Sequence, residues 1–315
     1  MKAIVQERYG PPEVLHLAEV DRPPLEPDRV LVRVRAAGVN PADWHAMRAD
    51  PWFARLIFGL RRPRNPIRGI DFSGTVEEVG SDMTQFEVGD AVFGGRDGAL
   101  AEYVAAKNVV RKPDALDFAQ AGGVAVAGCT ALQALRDKGR LHPGQRVLVN
   151  GAAGGVGTFA VQIAKALGGH VTGVCSTRNV ELVRSLGADE VVDYTATDFR
   201  ERGESYDLVV DCVGNHSPSS VRRILTKKGT LVLVGGDGRI GGIVAPILLN
   251  LVVPQRIVSF IAKIGADDLQ ALADLASEGK LSVHVDRTYP LEEASEAIRY
   301  LETKHVRGKV IVTVA

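Results

Sequence analysis

A glycine-rich loop between an apolar strand and an amphipathic helix is the feature that most constrains the fold of this 315-residue chain. Residues 146–150 (RVLVN) predict a buried strand, and the apolar residues of segment 156–167 fall on one face of a helix. The loop between them, residues 151–157, has the sequence GAAGGVG. The start of such a helix presents free N–H groups and a positive dipole, which together can bind a pyrophosphate.

The glycines of this loop favour a ligand over an empty turn. A tight turn without a ligand would not need glycine at 154, 155 and 157 together, so the loop predicts dinucleotide binding. Gly154 would allow close approach of the phosphates, and Gly157 would allow close packing of the helix. We expect the cofactor contacts of the loop to come from Ala153, Gly154, Gly155 and Val156.

The segment after the next predicted strand indicates which dinucleotide is bound. An acidic residue about 20 residues beyond the loop binds the ribose 2′-hydroxyl in NAD-preferring folds, whereas a 2′-phosphate needs cationic and hydroxyl donors. Residues 170–180 contain no Asp or Glu, while Ser176 and Arg178 supply a hydroxyl and a guanidinium. The segment favours NADPH. The alternative is that Arg178 only starts the next helix and faces water.

The pattern of apolar residues predicts an α/β protein of two domains. Up to about residue 120 the sequence alternates short strands and turns, as in a β-rich barrel or sandwich. From about residue 124 strands alternate with amphipathic helices, which is typical of an open, doubly wound parallel sheet. The last segment is expected to rejoin the first domain. The predicted domains are residues 1–122 with 281–315, and residues 123–280.

Composition limits the partners of the chain. Its 38 Lys and Arg balance 38 Asp and Glu, so there is no general electrostatic attraction to nucleic acid. Charge follows the first residues too soon for an export signal, and the apolar run 243–254 is interrupted and too short to span a bilayer. We therefore expect a cytoplasmic protein without a nucleic-acid or membrane partner.

Several motifs resemble the medium-chain dehydrogenase/reductase superfamily, specifically its zinc-free quinone oxidoreductase branch. Besides the glycine loop, they are residues 37–43 (AGVNPAD), 69–76 (GIDFSGTV), 88–94 (VGDAVFG), 98–103 (GALAEY) and 307–310 (RGKV). The resemblance covers nearly the whole chain. It implies a GroES-like barrel that carries the catalytic residues, a Rossmann domain that binds NADPH, and a homodimer with residues 256–261 as the candidate edge strand.

The resemblance also implies that the protein holds no metal. The alcohol dehydrogenase branch binds catalytic zinc through a Cys, a His-Glu pair and a third ligand. Here those positions hold Val39 or Asn40, Asp71-Phe72, and Val126. No cysteine precedes residue 129, so the usual thiolate ligands of either zinc site are missing.

Without a Lewis acid, the implied chemistry is hydride transfer from NADPH to an activated acceptor, a quinone or an α,β-unsaturated carbonyl. An enoyl-thioester reductase and a non-catalytic NADPH sensor are the alternatives. By resemblance Asn40 lies beside the nicotinamide ribose or the substrate carbonyl. Further cofactor contacts are implied for Thr130, Tyr194, Val213, Gly235 and Lys309.

Three features near Asn40 leave their roles open. His45 and Tyr103 are candidate proton donors, although a single ring of this kind is more often structural. Asp43 is either an active-site orienter or, more often in such positions, a helix-cap carboxylate. The arginines of residues 61–68 either form a solvated basic loop or attract an anionic substrate tail such as a coenzyme A phosphate.

Overall fold

Two units make up the chain in a computed structural model that describes residues 1–50, 52, 55–234, 250 and 253–314. The first unit consists of Met1–Ala127 and Ile264–Ala315, and the second of Gly128–Lys263. The described strands are β1 (Lys2–Gln6), β2 (Leu15–Glu19), β3 (Val30–Val39), β4 (Asp71–Val79), β5 (Ala91–Gly95), β6 (Tyr103–Ala106), β7 (Val109–Arg111), β8 (Arg146–Asn150), β9 (His170–Cys175), β10 (Glu190–Asp193), β11 (Tyr206–Asp211), β12 (Leu225–Leu233), β13 (Arg256–Ser259), β14 (Val285–Pro290) and β15 (Lys309–Thr313).

The helices of the described residues range from four to twelve residues in length. They are α1 (Pro41–Arg48), α2 (Arg55–Phe58), α3 (Phe118–Ala121), α4 (Ala125–Leu132), α5 (Gly155–Ala166), α6 (Val180–Ser185), α7 (Pro218–Val221), α8 (Ala266–Ser277) and α9 (Ala294–Glu302). A π-helical segment, Gln133–Lys138, follows α4, and a 3-10 turn, Thr177–Asn179, follows β9. No described helix has the length and apolar character that crossing a membrane requires.

The first unit is built on a mixed seven-stranded sheet in the order β14-β15-β3-β4-β5-β7, with β6 paired to β3. The long strand β3 is its centre, because it pairs with β4, β6 and β15. Alternate residues of β3, such as Val30, Val32 and Val34, are buried in one core. Strand β15 pairs antiparallel with β3, with Val310 opposite Val39. The last segment of the chain therefore joins the sheet of the first unit.

The second unit contains a parallel six-stranded sheet in the order β10-β9-β8-β11-β12-β13. The chain runs outward from β8 in both directions, which is the doubly wound arrangement predicted from the alternation of strands and helices. Helix α5 packs against β8 and β9 through its apolar face, including Phe159 and Ile163. Strand β10 was not predicted, because Glu190–Asp193 has only two apolar residues between two acidic ones.

The boundaries between the units differ from the predicted ones. They fall at 127/128 and 263/264, not at 122/123 and 280/281. The larger difference concerns α8, which packs against β7, while the Asn108 side chain donates to the carbonyl of Ile264 over 2.9 Å. The amphipathic pattern predicted this helix correctly but carried no information on which sheet it contacts.

Gly157 is required by packing in the first turn of α5, since a Cβ built there would lie 2.0 Å from the carbonyl oxygen of Gly151. We expect Gly157→Ala to lower the free energy of unfolding by about 1–3 kcal/mol, measured by chemical denaturation. Gly154→Ala is the matched control: its Cβ would meet only the same oxygen at 3.4 Å, an ordinary contact. Equal stability of the two variants would contradict this account of the loop.

Candidate functional site

The glycine loop leaves β8 at Asn150 and is held against the neighbouring strand. The N–H groups of Gly151 and Ala152 both donate to the carbonyl of Val174 at the end of β9, over 3.1 and 3.0 Å. Gly154 is the N-cap of α5 and has an extended backbone, a conformation that any residue type can adopt without strain. The loop is thus fixed to the end of β9 by main-chain hydrogen bonds.

Neither the backbone conformation nor the packing of the protein requires glycine at position 154. Its backbone suits any residue, and a Cβ there would make only one ordinary contact. The space that this side chain would fill lies at the N-terminus of a twelve-residue helix, where the dipole attracts anions. The predicted loop residues fit a dinucleotide pyrophosphate here. Ala153 is buried, and Gly154, Gly155 and Val156 are half-buried.

Three of the predicted cofactor residues meet at the carboxyl ends of β9 and β10. Ser176 is half-buried and caps the 3-10 turn after β9, in which Arg178 is exposed. The N–H of Tyr194 donates to the carbonyl of Cys175 over 3.0 Å, and its side chain is 59% exposed. The structure thus gathers Ser176, Arg178 and Tyr194 at one sheet edge, where parallel sheets bind their ligands.

A carboxylate that the sequence analysis missed stands at the same edge. Asp193 ends β10 opposite Cys175, and it accepts hydrogen bonds from the hydroxyls of Thr177 at 2.6 Å and Thr195 at 2.7 Å. These bonds lower the pKa of Asp193, so it is ionised at neutral pH. Residues 170–180 contain no carboxylate, and strand pairing brings this one in from the next strand. The D-x-T sequence after an apolar pair was the available signal.

A buried carboxylate organises the turn that contains Val213. The Oδ1 atom of Asp211 accepts from the N–H groups of Val213 and Gly214 at 3.0 Å, and from the side chain of Asn150 at 2.9 Å. Asp211 is fully buried and connects the end of β11 to the end of β8. Val213 is 43% exposed beside it. Sequence reasoning gave Val213 but not Asn150 or Asp211.

The two other predicted nicotinamide contacts are less defined. Thr130 is half-buried in α4. Gly235 lies outside the residues that the structure describes. Most of the apolar run 243–254 is also outside them. The cofactor roles of Thr130 and Gly235 stay predictions.

In the first unit a buried lysine joins residues from distant parts of the sequence. The ammonium of Lys309, on β15, donates to Asn40 Oδ1 over 2.5 Å and lies 3.3 Å from Asp71 Oδ2. Asp71 Oδ1 accepts from the N–H of Val126 over 2.8 Å. Lys309, Asn40 and Asp71 are each at most 3% exposed. Burial raises the pKa of Asp71, and the nearby ammonium of Lys309 opposes that effect.

This cluster occupies the positions that, by resemblance, hold zinc ligands in the alcohol dehydrogenase branch. Asn40, Asp71 and the N–H of Val126 are brought together, and the cation among them is the ammonium of Lys309. Among the described residues, no group of three or more His, Cys, Asp and Glu side chains could hold a metal ion. Because Lys309 holds the side chain of Asn40, Lys309 is a positioning residue. The contact of Lys309 with the cofactor stays a prediction.

Asp43 serves as a helix cap, in agreement with the second of its two interpretations. Its Oδ2 accepts from the N–H of Asn40 over 2.7 Å at the start of α1. Burial raises the pKa of Asp43 to about 7, and the hydrogen bond from Asn40 only partly offsets that rise. A second carboxylate, Asp71, also contributes to the rise.

The two candidate proton donors have structural partners. His45 Nδ1 hydrogen-bonds with the carbonyl of Asp50 over 2.9 Å, and its ring stacks on Trp44 with centroids 3.7 Å apart. Trp44 packs against the core of its unit. The hydroxyl of Tyr103 accepts from Arg22 over 2.9 Å. Their catalytic roles stay predictions, and only Asn40 of the predicted catalytic residues contacts Lys309 and Asp43.

The raised pKa of Asp43 makes the stability of the protein depend on pH. In the unfolded chain this carboxyl titrates near 4, so the folded state binds its proton more tightly, and stability falls as pH rises from about 4 to about 7. Asp43→Asn should remove this fall, at most about 3 kcal/mol between pH 5 and pH 8, in denaturation curves measured at those two pH values. Asp198→Asn is the control, because Arg200 lowers the pKa of Asp198 to about 2, outside that window. An unchanged pH dependence in Asp43→Asn would contradict the assignment.

Comparison with known proteins identifies the family. The alcohol dehydrogenase GroES-like domain matches residues 26–114, and the zinc-binding dehydrogenase family matches residues 186–312. The mitochondrial NAD(P)H oxidoreductase RTN4IP1 of Mus musculus is 33% identical over 100% of this chain and 89% of its own length. The trans-enoyl reductase pgmF of Aspergillus terreus is 36% identical over 92% of this chain and 87% of its own.

A solved structure agrees with both the fold and the branch. The quinone oxidoreductase from Coxiella burnetii superposes with a TM-score of 0.89 at 33% identity, covering 100% of this chain and 99% of that one. The GroES-like and Rossmann folds expected from the resemblance are thereby confirmed. The chain belongs to the medium-chain dehydrogenase/reductase superfamily, in its quinone oxidoreductase-like branch, and is an oxidoreductase of the pyridine-nucleotide-binding type.

Proposed function

We propose that the protein uses NADPH to reduce quinones or α,β-unsaturated carbonyls by hydride transfer, without zinc. The observation that carries this proposal is the cluster of Asn40, Asp71 and Lys309, where an ammonium stands among the positions that supply metal ligands in the alcohol dehydrogenase branch. A site without a Lewis acid suits acceptors that are already activated by conjugation.

The bound cofactor would supply the hydride, and the residues of this chain would supply position and electrostatics. The hydride adds to the β-carbon of the conjugated carbonyl, and the resulting enolate takes a proton from solvent or from a nearby acid. Lys309 holds the Asn40 amide oxygen, and the Asn40 amide nitrogen donates to the carbonyl of Gly38 over 3.3 Å, so the second amide N–H is the group that would meet a carbonyl or ribose. A quinone likewise accepts one hydride and one proton and becomes a hydroquinone.

The names of two relatives support this choice of acceptors. A structure 33% identical to this chain is that of a quinone oxidoreductase, and a relative 36% identical is named a trans-enoyl reductase. The latter favours enoyl thioesters as the second candidate substrate class. The NAD(P)H oxidoreductase RTN4IP1 supports a pyridine nucleotide without choosing between its two forms.

The choice of NADPH rests on the edge formed by β9 and β10. Ser176 and Arg178 provide a hydroxyl and an exposed guanidinium for a 2′-phosphate. Asp193 opposes this choice by its charge, yet both of its oxygens already accept hydrogen bonds from Thr177 and Thr195. The carboxylate is therefore engaged by the protein before a ribose arrives.

Assembly and location belong to the same proposal. Strand β13 is the last strand of the parallel sheet, and its outer edge pairs with no strand among the described residues. Continuation of the sheet across two copies of β13 would give the homodimer expected from the resemblance. We place the protein in the cytoplasm, where NADPH and small conjugated carbonyls are both available.

Turnover against a panel of acceptors tests the reaction. We expect quinones, enones or enals to oxidise NADPH, measured by the loss of NADPH absorbance. The zinc content of the same sample, measured by elemental analysis, should be far below one ion per chain. Faster turnover of enoyl thioesters than of free enones would select the second candidate class. NADPH binding without turnover of any acceptor would instead support the sensor function.

Replacing Arg178 tests the cofactor. Arg178→Ala should raise the KM for NADPH about 10-fold to 100-fold, the loss expected for a charge-assisted bond to phosphate, with little change for NADH. Arg184→Ala is the matched control, since Arg184 is an exposed arginine of the next helix that pairs with Glu181. Equal changes for the two cofactors would refute the assignment of Arg178 to the 2′-phosphate.

A further inference from the structure

A short segment of the first unit concentrates positive charge in an otherwise balanced chain. Residues 55–64, here called the arginine loop, contain four arginines and no Asp or Glu. All four, Arg55, Arg61, Arg62 and Arg64, are exposed. The structure gives none of them an ion pair with a carboxylate of the described residues, whereas arginines such as Arg48 and Arg200 are paired.

The same loop exposes large apolar side chains. Leu56 is 65% exposed, Leu60 is 68% exposed and Phe58 is 36% exposed. Trp52, three residues before the loop, is 76% exposed. These are four of the nine large hydrophobic side chains that are exposed in the described chain, and they fall within nine residues. Scattered exposure of this kind is ordinary, but its concentration beside unpaired charge indicates a contact surface.

The backbone of the arginine loop is fixed although its tip projects. The N–H of Arg64 donates to the carbonyl of Phe58 over 2.8 Å and closes the loop. The hydroxyl of Tyr9 donates to the carbonyl of Gly59 over 2.6 Å, and the guanidinium of Arg55 lies 5.2 Å from the centre of the Tyr9 ring. Gly59 and Pro63 are buried, while Leu60, Arg61 and Arg62 between them are exposed.

We propose that the arginine loop docks the protein on the surface of an anionic phospholipid bilayer. Arginines pair with the phosphate and carboxylate groups of the lipid heads, and Leu56, Phe58 and Leu60 enter the boundary between head groups and acyl chains. This inference concerns binding alone and does not depend on the proposed reaction. It revises the expectation of no membrane partner, which considered only membrane-spanning segments and net charge.

Other anionic partners fit these side chains less well. A soluble phosphate, such as that of a thioester substrate, would pair with the arginines and leave the leucines in water. An acidic protein needs an interface of about 1,000 Å² or more, which a ten-residue tip does not provide. Insertion of a few apolar side chains into a bilayer requires no minimum area, because its free energy grows with each buried group.

Sedimentation with vesicles tests the proposal. We expect the full chain to bind vesicles of phosphatidylcholine with about 30 mol% phosphatidylserine at about 0.1 M NaCl, and to bind pure phosphatidylcholine far more weakly. The double variant Arg61→Gln/Arg62→Gln should lower the partition coefficient about 30-fold, from about 1 kcal/mol per charge. Leu60→Ser, which changes no charge, should lower it about 10-fold.

Two controls separate this surface from general charge and from misfolding. Arg33→Gln/Arg35→Gln removes two exposed arginines from β3 and should leave vesicle binding unchanged. The thermal unfolding of every variant should match that of the parent chain, since the substituted side chains are exposed. A vesicle-dependent blue shift of Trp52 emission, lost in Trp52→Phe, would report contact with the bilayer directly.

Two results would overturn the proposal. The first is equal binding to anionic and neutral vesicles, or none to either. The second is displacement from vesicles by millimolar coenzyme A together with an unchanged partition coefficient for Leu60→Ser, because that combination describes a site for a soluble anion.

Discussion

The buried ammonium of Lys309 is the interaction around which the first unit is organised. The ammonium, carried by β15, lies within hydrogen-bonding distance of the N-cap of α1 and of the first residue of β4. A charge buried in this way is tolerated only when it is paired and hydrogen-bonded. Removing Asp71 or Lys309 would leave the other as an unpaired charge in the core, so this pair holds β4 and β15 in one arrangement.

A fixed positive charge differs from a metal ion in what it can do. An ammonium has three donors and no vacant coordination position, so it orients acceptor groups but cannot bind an alkoxide as zinc does. In our proposal this restriction favours a conjugated acceptor, because such an acceptor takes a hydride more readily without the assistance of a metal. In the same proposal Asn40, which Lys309 orients, recognises the carbonyl.

Local patterns predicted what depends on neighbours in sequence, and failed where contacts are distant. The strand, glycine loop and helix at residues 146–166 were predicted because apolar periodicity and the loop glycines lie within one stretch of chain. Asp193 and Asp211 were missed, since their partners Thr177 and Asn150 lie 16 and 61 residues away. Lys309 was given only by family resemblance, and its contact with Asn40 spans 269 residues, beyond any periodicity.

The order of the two units along the chain has a consequence for biosynthesis. The second unit is continuous in sequence, whereas the first is completed by β14 and β15, which follow it. The whole second unit therefore leaves the ribosome while the sheet of the first unit still lacks β14 and β15. At that stage Asp71 also lacks its partner, the ammonium of Lys309. Until the final strand emerges, β3 has one edge open along the residues that later pair with β15, which is the kind of edge that chaperones shield.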